Sequence, residues 1–197
     1  SPETTVNKEI ALYFSGDDGF EYSITAFHND FDDKIAIATC ELDVCLDDTD
    51  RYNINIDEVE SYGAELAARY NIGNWSFNGA YSYTRSEQKT GANEGLPLVQ
   101  QPKHLFTLNT TYRLSETGEI WSRWTVRGEE TALTSVSSRS ILSPGVGVFD
   151  IGYNTKLTRN IKLQTGLYNA FDKTMRYEEF GYVEDGRRLW LGLNWTF

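Results

Sequence analysis

The segment ATCELDVCLDDTDR gathers the residues of this chain best suited to ligate or react: Cys40 and Cys45, with Glu41, Asp43, Asp47, Asp48 and Asp50 around them. Two thiolates begin a soft-metal site, but a closed zinc centre needs four donors, and the two histidines, His28 and His104, lie in other segments. The carboxylates suit a hard cation such as Ca²⁺, yet their spacing lacks the glycine and the closing Glu of an EF-hand loop. A solvated acidic loop is the plainer reading, and no metal site is assigned. Hydrolytic chemistry finds no better footing. Ser23 and His28 share no local motif with a carboxylate, and GxSxG, HExxH and phosphate-loop patterns are all missing. A triad can assemble from distant residues, so a hydrolase stays open as the lesser alternative; the expectation is that the chain is not an enzyme and carries no covalent cofactor.

Whatever these residues do, extended segments must position them. GRRLWLGLNWTF places Leu189, Leu191, Leu193, Trp195 and Phe197 on one side of a strand and Trp190, Gly192, Asn194 and Thr196 on the other, because strand side chains alternate with period two. The same rhythm recurs in VNKEIALYF, FEYSITAFHNDF, VESYGAELAARY, WSFNGAYSYTRS, KHLFTLNTTYRL, EIWSRWTVR, VGVFDIGYNTKL and IKLQTGLYNAFDK. With the terminal segment this makes nine strands, and no stretch reads as an amphipathic helix.

The connections alternate strictly between short (SGDDG, NIGN, SETG, TRN) and long (residues 39–52, EQKTGANEGLPLVQQP, GEETALTSVSSRSILSPG, TMRYEEFGYVEDG). Between antiparallel neighbours, this puts every tight turn at one end and every long loop at the other. That asymmetry marks an outer-membrane β-barrel with short periplasmic turns and long extracellular loops; a soluble sandwich would mix the two. The terminal strand from Arg187 rises about 3.3 Å per residue, so it runs roughly 33 to 36 Å and, tilted near 45°, projects to about 25 Å, the height of the apolar band. Tyr13, Phe14, Phe20, Tyr70, Trp75, Tyr112, Trp121, Trp195 and Phe197 fall near strand ends and read as girdle residues.

Composition agrees. With 197 residues, 40% hydrophobic content, 12 Tyr and one Met, and a mean hydropathy of -0.48, this is not the makeup of an ordinary buried core. No run approaches the roughly 18 apolar residues of a membrane helix, and no basic-then-apolar leader opens the chain. A net charge of -11 argues against nucleic acid. An odd strand count leaves two unpaired edges, costly in lipid, whereas single-chain bacterial barrels have even counts. Residues 1–197 are therefore expected to be the C-terminal part of a larger barrel.

Against this background, SPETTVNKEIALYF, ITAFHNDFDDKIA, NIDEVESYGAELAARY, QPKHLFTLNTTYRL, GLYNAFDK and YVEDGRRLWLGLNWTF together resemble the closing strands of TonB-dependent outer-membrane receptors, nearest the catecholate siderophore branch. The likeness covers essentially the whole chain. It implies a barrel of about 22 strands, plugged by an N-terminal globular domain and driven through a TonB box; neither plug nor box, nor the first barrel strands, is found in this sequence. Phe197 resembles the C-terminal aromatic signal read by the barrel-assembly machinery.

The implied function is uptake of a ferric catecholate siderophore, with this chain as wall and loops. Haem, cobalamin or another cargo, and a passive porin or adhesin barrel, remain the alternatives. In that oxidising compartment Cys40 and Cys45 are close enough to pair, which would contribute about 2 kcal/mol in the chain-entropy model. A ferric tricatecholate is an anion with aromatic faces, so its receptor should offer cations beside rings. Arg127, Arg139, Arg176, Tyr177, Phe180, Tyr182 and Arg188 are the loop candidates; Arg187 has the lipid-facing parity and Arg188 the lumenal one. Pairing of these arginines with lipopolysaccharide phosphates or with Glu178, Glu179 and Asp185 is the competing reading. Expected partners are the rest of the receptor, TonB, the assembly machinery and outer-membrane lipid, with colicins and phage as candidate users of the same loops.

Overall fold

The computed structural model describes residues 2–39, 51–90, 94–134, 137–176 and 185–196. It is all β: β1 (Thr4–Ser15), β2 (Phe20–Thr39), β3 (Arg51–Ile72), β4 (Trp75–Gln88), β5 (His104–Arg113), β6 (Gly118–Arg127), β7 (Glu130–Thr134), β8 (Ser137–Ser143), β9 (Val146–Lys156), β10 (Ile161–Tyr168) and β11 (Arg188–Trp195). Nine strands form one sheet in the order β1-β2-β3-β4-β5-β6-β9-β10-β11, and β7 pairs only with β8. The strand pairs from β4 onward are antiparallel.

The structure corrects several sequence boundaries. The connection GEETALTSVSSRSILSPG, expected as loop, contains the β7–β8 hairpin, whose register slips between Leu133 and Thr134. Strands β2 and β3 run further into the expected polar loop, to Thr39 and from Arg51. Strand β10 stops at Tyr168, short of the expected NAFDK: Asn169 and Asp172 take left-handed backbone angles of φ 49° and 56°, outside the extended region, and the chain leaves the sheet there.

Contacts divide the chain into two compact units. One comprises Ser1–Ile10, Ala26–Gly63 and Arg85–Leu98; the other comprises Ala11–Thr25, Ala64–Thr84 and Val99–Phe197. The second unit holds all four short turns, and each is bonded to the next hairpin. Asn71 N–H donates to Gly19 O (3.1 Å), Arg113 N–H to Asn74 O (2.9 Å), Lys156 N–H to Thr117 O (2.9 Å) and Thr196 N–H to Asn160 O (3.0 Å). Gly19 supplies the φ of 81° that closes its turn.

The burial pattern is the reverse of a soluble domain. Among the described residues Val59 is the sole buried hydrophobic side chain, whereas Ser61, Ser86, Gln88, Glu130, Ser143, Asp150 and Asn169 are buried. Leu189, Leu191 and Leu193 are 82%, 67% and 67% exposed. Such a surface is stable only where lipid replaces water against it.

Register extends this apolar face from strand to strand. Leu189, Leu191 and Leu193 stand opposite Leu167, Thr165 and Leu163, which stand opposite Ile151, Tyr153 and Thr155. Ile120, Ser122 and Trp124 continue the face onto β6, Tyr112, Thr110 and Leu108 onto β5, and Trp75, Phe77 and Gly79 onto β4. Aromatic rings cluster at the turn end of this face, with Phe14 against Phe20 and Tyr22, Phe20 against Tyr70, and Trp75 against Phe77 and Tyr112. Two expected girdle residues belong to the other face. Trp121 packs on Tyr168 and over Gly152 and Gly166, and Tyr13 alternates with Phe14, which stacks on Tyr22.

Candidate functional site

The face opposite the apolar one carries the polar wall, and in the second unit its centre is Asp150. This carboxylate is 4% exposed. Its Oδ2 accepts from Arg123 Nε (2.9 Å) and Nη2 (2.7 Å), and its Oδ1 accepts from Asn169 N–H (2.7 Å). Register explains the arrangement: Arg123 stands directly opposite Asp150 across the β6–β9 pair. A buried carboxylate remains stable when a cation and several donors replace its water, and here three donors do so. Nothing in the local sequence around Arg123 pointed to it, since its partner lies 27 residues away.

The predicted loop cations fall into different situations. Arg127 is tied down: Nε donates to Glu130 Oε1 (3.0 Å), Nη2 reaches Glu130 Oε2, and Glu130 is buried. Arg188 stands opposite Tyr168, sharing its face with Trp121, and its Nη1 meets Asp185 Oδ2 at 2.7 Å; both side chains are more than half exposed. Arg176 is exposed. Arg139 lies on β8, with its side chain outside the described residues, as are Tyr177, Phe180, Tyr182, Cys40, Cys45 and Phe197 in full. At the turn end of the polar wall, Arg113, Lys156 and Lys162 line a hollow of about 190 Å³ with Glu116, Glu119 and Asn154, a mixed-charge site the sequence reading missed.

In the first unit a second polar array lies where the apolar pattern breaks. Along β3, Tyr62, Ala64, Leu66, Ala68 and Tyr70 alternate toward one face, and the next residue on that face is Glu60; on β1 and β2 the same change occurs at Lys8 and His28. These charged positions connect. Lys8 Nζ meets Asp30 Oδ2 (3.0 Å), Asp30 Oδ2 lies 3.5 Å from His28 Nδ1, His28 Nε2 meets Glu60 Oε1 (2.7 Å), and Lys89 bridges Glu60 and Glu87 (3.1 Å to the latter). His28 also stacks on Tyr62 at 6.3 Å.

Glu60 lies beyond the apolar run. Its carboxyl is held below the usual range, first by the hydrogen bond from Lys89 and then by that from His28. Lys89 is correspondingly held above its usual range by its bonds to Glu60 and Glu87. His28, Asp30 and Glu60 form a set whose ligand atoms are close enough to hold a metal ion. Each carboxylate already has a lysine partner, Lys8 on Asp30 and Lys89 on Glu60, so the set lies within a ladder of alternating charges.

The comparisons with known proteins agree with this layout. Residues 1–170 match the family model described as TonB dependent receptor-like, beta-barrel. The chain is 40% identical to an iron-regulated outer membrane virulence protein of Vibrio cholerae over 204 residues, covering 100% of this chain and 31% of that protein. The chain therefore spans about a third of the length of that curated relative. Among solved structures, the siderophore receptor PirA from Acinetobacter baumannii superimposes with a TM-score of 0.80 at 20% identity, covering 100% of this chain and 32% of that one. The copper transporter OprC does so with a TM-score of 0.80 at 22% identity, covering 100% and 32%. The ferric enterobactin receptor PfeA from Pseudomonas aeruginosa follows with 0.78 at 18%, covering 99% and 31%. Proteins named for such different cargoes share the fold, so fold alone does not select a ligand. An outward apolar face, a polar wall behind it and a family match over most of the sequence lead to one assignment: this chain belongs to the TonB-dependent receptor β-barrels of the outer membrane, a family of receptors and not of enzymes.

Proposed function

We propose that the whole receptor takes up a ferric catecholate siderophore across the outer membrane in a TonB-dependent manner, with this chain supplying wall and ligand-facing loops. The observation that carries the reading is 40% identity, across the full chain, to a protein named for iron regulation in the outer membrane. The loop-end chemistry supports it. Arg176, on the outgoing limb of the β10–β11 connection, and Arg188, the first residue of β11, are exposed cations, and Tyr177, Phe180 and Tyr182 lie between them in sequence. Guanidinium groups beside aromatic rings suit an anion that itself carries aromatic faces. The plug, the TonB contact and the assembly machinery are then partners reached through the remaining two thirds of the protein or through its C-terminal signal.

Deleting the full gene in its host under iron limitation tests this reading. Growth on ferric enterobactin or a related ferric catecholate should fail and return with the complete gene. Growth that persists on every catecholate, but fails on haem as the iron source, would move the cargo to another class while leaving the architecture intact.

A further inference from the structure

The connection leaving β10 is closed at its base by one side chain. Asn169 is wholly buried, and its left-handed backbone turns the chain out of the sheet. Its Nδ2 donates to Lys173 O on the outgoing limb and to Asp185 O (2.7 Å) on the returning limb, while its Oδ1 accepts from Lys173 N–H (2.8 Å). Three of the four hydrogen bonds open to an asparagine amide are thereby made. A second tether lies just outside: Asp172 Oδ1 accepts from Arg187 N–H at 2.8 Å. Behind the clasp stands Asp150, which holds the Asn169 N–H and is itself held by Arg123. Ala170 N–H to Phe149 O (2.8 Å) adds a backbone bond to the same wall.

The two guanidinium groups assigned above to ligand lie just beyond these tethers, Arg176 past Lys173 and Arg188 past Asp185, to which it is ion-paired. We propose that Asn169 is a positioning residue for ligand capture, setting the separation of the two limbs before ligand arrives; this rests on the siderophore reading. A loop whose base is already ordered gives up less freedom on binding, so its cations bind an anion more tightly than the same cations on an untethered loop. Residue type at 169 is restricted by two demands at once. Glycine meets the left-handed backbone but has no amide; aspartate tolerates that backbone and keeps the acceptor for Lys173 N–H, but presents an oxygen to the carbonyls of Lys173 and Asp185.

The test uses the full-length receptor in outer membranes, with Asn169→Gly, Asn169→Asp and, as a matched control, Asn160→Gly. Asn160 makes a similar amide bond, Nδ2 to Thr196 O at 2.8 Å, at the turn end of the same strands. Assembly is read from heat-modifiable migration, binding from titration with ferric enterobactin, and the loop base from trypsin cleavage after Lys173 and Arg176 on intact cells. The expected result is assembled Asn169 variants with affinity reduced by about tenfold and faster cleavage, and an Asn160 variant like the parent in both. Assembled Asn169→Gly or Asn169→Asp receptor with parental affinity and cleavage overturns the proposal. If the parent binds neither ferric enterobactin nor any related ferric catecholate, the siderophore reading fails, and cleavage alone decides the clasp: faster in the variants supports it, unchanged overturns it. Should neither Asn169 variant assemble, Asp172→Gly, which removes the outer tether alone, carries the same expectations and the same overturning result.

Discussion

His28 and Glu60, on the adjacent strands β2 and β3, meet through Nε2 and Oε1 at 2.7 Å on the face that is apolar further along both strands. This contact sits inside a row of alternating charges from Lys8 to Glu87, and the row is where the first unit can respond to acid.

Because the folded Glu60 carboxyl is held below its unfolded value, its contribution is complete above the ordinary glutamate range and is lost as pH falls through the lower folded value. Lys89 behaves oppositely: its contribution is complete below the ordinary lysine range and is lost only as pH rises through the raised folded value. Protection of the β2 and β3 amides between residues 28 and 35 and between 58 and 62, measured as exchange relative to the intrinsic rate at each pH, should therefore be flat from neutral to mildly acid pH and fall only below the usual carboxylate range. Glu60→Gln should lower that protection at neutral pH and flatten its acid response. An acid response equally steep in that variant would place its origin elsewhere.

Gly152 is required by close packing. A Cβ there would collide with the Thr165 carbonyl oxygen and come within 2.5 Å of the Trp121 ring, whereas one at Gly79 would meet Leu108 Cδ1 at an ordinary 3.8 Å. Gly152→Ala should cost about 1–3 kcal/mol, the usual range for overpacking, and Gly79→Ala much less. Urea unfolding of the full receptor in lipid vesicles compares them; equal midpoints would contradict the Trp121 placement.

The two faces of β11 make opposite demands on charge. Leu191 is 67% exposed on the apolar face, so Leu191→Arg should destabilise the folded barrel by about 2–4 kcal/mol if it lies near the bilayer midplane. Asn194→Arg, on the polar face opposite Lys162, should cost far less. The measurement is the same vesicle unfolding series, and a larger effect at Asn194 would reverse the assignment of faces.

Two predicted loop arginines should separate by phenotype. Arg127→Ala strands Glu130, whose side chain is 1% exposed, and should lower stability by about 1–3 kcal/mol, as loss of a partner to a buried polar group does. Arg188→Ala removes an exposed cation and should leave unfolding unchanged while weakening ferric enterobactin binding several-fold, roughly the loss of one charge-assisted contact. Binding titrations beside unfolding curves distinguish the two; loss of binding without loss of stability in Arg127→Ala would mean that Glu130 releases it to the ligand.

Period-two alternation and turn residues are local properties. The alternating runs, the nine strands of the main sheet and the greasy side of GRRLWLGLNWTF could therefore all be read from sequence, and so could the asymmetry of turns and loops. The change from apolar to charged residues at Lys8, His28 and Glu60 was also present in the alternation, but it shows only when neighbouring strands are compared at one level. Partner choice is not local. Register across strands 27 residues apart put Arg123 on Asp150, pairing over 32 residues put His28 on Glu60, and a left-handed Asn169 ended β10 where the apolar pattern continues. Trp121 shows the division most plainly. Its type and position near a strand end suit a girdle, yet the opposed glycines 152 and 166 leave a groove on the other face, and only the assembled sheet brings that groove beneath the indole.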